Sequence, residues 1–98
     1  MKIEAGEVVV MVLHTPREKL VGVLEEIGPA GVQIRGIDLG YFDDWSQSVA
    51  ANEPHLAMTD YFFPMWRVER VSRDEGTEDV PSLAGQFERR TGKVFTEQ

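Results

Sequence analysis

The sequence predicts a mainly β fold: a five-stranded, strongly bent antiparallel small barrel with an inserted loop or short helix and a C-terminal helix. Three local signals carry that expectation. Gly22 interrupts an otherwise strand-like run, which is costly unless the chain bends there or another backbone comes close. Gly28-Pro29-Ala30-Gly31 has the composition of a tight turn between two alternating segments. Pro64 breaks the aromatic run "FFPMWRVERV" (residues 62–71), because a residue without an N–H cannot sit inside a central strand.

Residues 7–14 are rich in β-branched side chains and apolar on both alternating faces, the pattern of a strand covered on both sides. Residues 15–18 turn the chain, and Lys19 to Ile27 form a second strand. Val32 to Ile37 supply the third, with Val32 and Ile34 directed at a core and Gln33 and Arg35 outward. Periodicity fails between Asp38 and Pro54, where a short helix from about Asp44 to Ala51 is expected, with Asp43 as N-cap and Pro54 as terminator. His55 to Phe63 resume a strand pattern, Pro64 to Arg67 turn, and Val68 to Arg73 form strand five. Beyond the charged linker 74–79, Pro81 to Thr91 read as an amphipathic helix, with Leu83 and Phe87 one turn apart and Gly92 as its C-terminal cap.

Composition narrows the chemistry. Ninety-eight residues form one small domain, read as a barrel over about residues 7–73, an insertion over 38–60 and a helix over 81–91. The longest apolar run, Val8 to Leu13, is far too short to span a bilayer, and no signal-peptide pattern is present, so an untargeted cytoplasmic protein is expected. Absence of cysteine excludes disulfides, thiolate metal sites and a cysteine nucleophile. The net charge of -7 opposes phosphate backbones except where cations cluster, as Arg67, Arg70 and Arg73 do. The stretch 38–60 carries five acids and no Lys or Arg.

No catalytic constellation emerges. His14 and His55 lack clustered second donors, Ser46, Ser48, Ser72 and Ser82 lie outside any nucleophile elbow, and Tyr41, Phe42 and Trp45 interrupt a calcium-loop series around Asp43-Asp44. A non-enzymatic protein without metal or cofactor is expected.

From Glu7 to Arg73 the chain resembles the Sm-like family, the ring-forming proteins that include Sm and LSm proteins and the bacterial RNA chaperone Hfq. "KLVGVLEEIGPAGVQIRGID" resembles the first Sm motif, with Gly22 at the bend glycine and Leu20, Leu24, Ile27 and Ile34 at core positions. "DYFFPMWRVERV" resembles the second, in which strand four, a one-turn 3₁₀ segment and strand five follow without a loop. The family's Asp and Asn pocket positions fall on Gly28 and Val32, and its second-motif pair falls on Pro64 and Met65, so the usual polar pocket is missing.

The resemblance implies a homo-oligomeric ring, with single-stranded RNA as the ligand to test. Trp66, Arg67 and Arg35 are then the candidate nucleic-acid contacts, through base stacking and phosphate pairing. Phe62, Phe63, Met65, Val68 and Arg70 are the candidate oligomer interface. Trp66 also reads as a packing or seam residue, and the three arginines as solvated charges on an edge strand. An assembly module that keeps the ring without binding RNA is the rival function.

Overall fold

Strand-forming runs separated by short turns build the sheet, and the computed structural model describes residues 2–98. Its strands are β1 (Val8–Leu13), β2 (Glu18–Gly28), β3 (Gly31–Asp38), β4 (Thr59–Pro64) and β5 (Val68–Arg73). They form one antiparallel sheet in the order β4-β3-β2-β1-β5. Helix α1 (Phe42–Ala50) lies between β3 and β4, and α2 (Leu83–Thr91) follows β5. No helix among the described residues is long and apolar enough to cross a membrane.

The sheet has an apolar layer on each face. Val9, Met11, Leu13, Leu20, Leu24, Val32, Ile34 and Phe63 make one core, against which Met65, Val68 and Val71 are half-buried. Residues of both terminal strands meet in this one cluster, so the sheet curls around it. Val21 and Ile37 face the other way, into a second core with Phe42, Trp45, Val49, Met58, Phe87 and Phe95. The doubly apolar β1 is thereby explained: its odd-numbered residues enter the first core, while Val8 and Val10 pack against the helical layer.

The close backbone approach that a strand-interior glycine permits is present at Gly22. Gly22 pairs with Gly36, and a Cβ on Gly22 would meet the Arg35 carbonyl oxygen and lie 2.6 Å from the Gly36 Cα. Two further irregularities tighten the curl, because Glu25 of β2 and Glu69 of β5 are extra residues in their ladders. Pro29 and Ala30 are the two-residue link between Gly28 and Gly31. Strands four and five are joined by the single 3₁₀ turn Met65–Arg67.

Several expectations are corrected. β4 and β5 do not pair with each other, so the sheet is an open curl rather than a closed barrel. Helix α1 starts at Phe42, not Asp44, because the 3₁₀ turn Leu39–Tyr41 leads straight into it; Asp38 caps that turn through the Gly40 N–H, and Asp43 and Asp44 occupy the helix's first turn. β4 begins at Thr59 because its pairing with β3 ends at Gly36, and the preceding segment instead gives its Leu56 carbonyl to the Trp45 indole N–H. Pro81 precedes α2, whose N-cap is Ser82. Ile27, expected at a core position, is 49% exposed although its cross-strand partner Val32 is buried in the first core.

Candidate strand-edge interface

Among the described residues, β4 is hydrogen-bonded only to β3, and β5 only to β1. Alternate N–H and C=O groups of both six-residue strands therefore point away from the sheet, available to another chain. The 3₁₀ turn between them is held at both ends: Met65 N–H donates to the Ala30 carbonyl at 3.0 Å, and His14 N–H to the Arg67 carbonyl at 2.9 Å. The two edges are thus presented by one fixed corner.

The candidate nucleic-acid residues are not gathered into one site. Trp66 is 64% exposed on the corner, with no ring partner among the described residues, so it is not a core residue. Arg67 beside it is committed internally. Its Nη2 donates to Glu18 Oε2 at 2.7 Å and to the Pro16 carbonyl at 2.8 Å, its Nε reaches the His14 carbonyl at 3.3 Å, and its guanidinium lies 5.6 Å from the Phe63 ring centroid. Only 15% of that side chain remains exposed. Arg35 faces the helical layer, where it pairs with Asp60 at 3.2 Å and donates to the Gln98 carbonyl.

The candidate interface residues divide by strand parity. Phe63 is interior, and Met65 and Val68 are half-buried against the same core. Phe62 and Arg70 are the exposed members. Phe62 and Asp60 lie on the outward face of β4 and line two adjoining recesses with Glu25, Glu26 and Gln33. Sequence reasoning missed these recesses because Glu25 enters them through the bulge in β2.

Charge differs between the two edges. Beside β4, desolvation first and then the neighbouring Asp60 carboxylate push the Glu25 carboxyl above its ordinary pKa, with Arg35 pulling the other way. Around β5 the acids are matched: Arg17 with Glu69, Arg67 with Glu18, and Arg73 with Glu7 and Glu75. The Glu7 carboxyl is held low by its hydrogen bond from Arg73, and that bond raises the arginine in turn. Arg70 has no ion-pair partner among the described residues. No known family, curated protein or solved structure matches this chain.

Proposed function

We propose that this chain is a non-catalytic, Sm-like assembly module that joins its own copies edge to edge into a ring. The observation that carries the reading is the pair of free edges, β4 and β5, at opposite ends of one curled sheet. A surface with two different edges associates head to tail, and such contacts close into a ring when the rotation allows. The continuous β4, 3₁₀ turn and β5 are in keeping with the second-motif resemblance. Size-exclusion chromatography with light scattering at micromolar concentration should give a trimer or larger species. A monomer there overturns the proposal.

Single-stranded RNA binding is the competing reading, favoured by the exposed indole of Trp66. The internal partners of Arg67 and Arg35 and the net charge of -7 weigh against it. Labelled oligonucleotides titrated at about 50 mM salt, where phosphate contacts are strongest, separate the two. Submicromolar binding lost on Trp66→Ala, with the oligomer intact, would establish the RNA function.

A further inference from the structure

We propose that Arg70 of one copy seats against Asp60 and Glu25 beside Phe62 of the next, and that this contact selects β4-to-β5 pairing over pairing of like edges. The inference rests on the assembly reading above and names the chemistry of its seam.

Parity puts the groups on one face. Arg70 pairs with Val12, opposite in sense to the Val71–Met11 pair that faces the first core. Asp60 pairs with Arg35, opposite in sense to Ile34, which enters that same core. Both side chains therefore project on the helical side, and a sheet continued from β4 into a neighbour's β5 keeps them on one face. Residues directly opposite in an antiparallel pair have Cβ atoms about 5 Å apart, within reach of an arginine and a carboxylate.

Charge then discriminates among the pairings. The recesses beside β4 hold Glu25, Glu26 and Asp60 against the single guanidinium of Arg35, and Asp60 remains 66% exposed. On β5, Glu69 is taken by Arg17, which leaves Arg70 as the exposed, uncompensated charge. Pairing β4 with β4 sets carboxylates against carboxylates, and β5 with β5 sets Arg70 against its own copy, both unfavourable. Phe62, 55% exposed, gives the arginine stem an apolar surface.

Charge exchange tests this in the full chain. Arg70→Glu and Asp60→Arg should each weaken self-association at least about tenfold by light-scattering dilution series. Mixing the two variants, or combining them in one chain, should restore the wild-type mass. If Arg70→Glu assembles like the wild type, or if neither mixture nor double variant recovers, the ionic seat is overturned while edge assembly stands. A monomeric wild type would instead remove the assembly reading itself. Should Asp60→Arg fail to fold, salt decides: wild-type association should weaken between about 0.05 and 0.5 M NaCl, and that of Arg70→Gln should not. Equal slopes overturn the proposal.

Discussion

A single missing side chain permits the tight approach of β2 and β3. At Gly22 any Cβ collides with backbone of the paired strand rather than with a movable side chain, so relief requires the β2-β3 ladder to shift. Gly22→Ala should cost about 1–3 kcal/mol, the range for inserting a methyl into a filled site, read as a lower denaturant midpoint. Glu7 makes a different residue-scale prediction. Its folded pKa is lowered by Arg73, so its contribution is complete above the unfolded glutamate's ordinary pKa of about 4.3 and is lost as pH falls through the lowered folded value. Stability measured from neutral pH down to about pH 3 should therefore fall less steeply in Glu7→Gln than in the wild type. Equal slopes would show that the Arg73 contact carries no pH-dependent stability.

The two helices act as one lid over the outer face of the sheet. Trp45 of α1 stacks on Phe87 of α2 with centroids 4.8 Å apart, and Phe95 meets both rings edge-on. Polar contacts fix their relative position, since Arg90 donates to the buried Ser46 hydroxyl at 2.6 Å. Asp74, just after β5, accepts from the Leu83 and Ala84 N–H groups at 2.9 Å each, anchoring the start of α2 beside the Ser82 cap. Phe87→Ala should cost about 3–5 kcal/mol, a drop in melting temperature of more than about 10 °C for a domain of this size. Asp74→Ala should cost about 1–2 kcal/mol, as loss of a helix cap does. An unchanged melting temperature in Phe87→Ala would mean that the lid contributes nothing to the sheet.

For the whole molecule, the consequence is a sheet that ends twice. Phe63 of β4 is buried in the first core and Val68 and Val71 of β5 pack half-buried against it, yet neither strand finds a backbone partner on its outer side among the described residues. Exposed edges invite pairing with another chain. If the edges pair between copies, amide hydrogen exchange of β4 and β5 should slow as protein concentration rises, while exchange in the central strands stays constant. Concentration-independent exchange at both edges would show that they remain open to solvent.

Much of this was legible in the chain. Gly22, the Gly28–Gly31 turn, Pro64 and the doubly apolar β1 each impose a local backbone constraint, and each stands where that constraint requires. The C-terminal helix followed from the spacing of Leu83 and Phe87 and from Gly92, whose φ of 72° is the left-handed cap conformation. The start of α1 was not legible, because a 3₁₀ turn and an α-helix share residue preferences and only the hydrogen-bond pattern separates them. Nor were the partners of Arg67, which lie 49 to 53 residues away on β2 and the preceding turn. Spacing along a strand tells which face a side chain takes; whether a charge there is free or already compensated depends on distant segments that only the folded sheet brings alongside. Local constraints thus determined the strands, the close approach at Gly22 and the covered faces, whereas the open edges and the unmatched Arg70 were decided by how the strands order and pair across the whole chain.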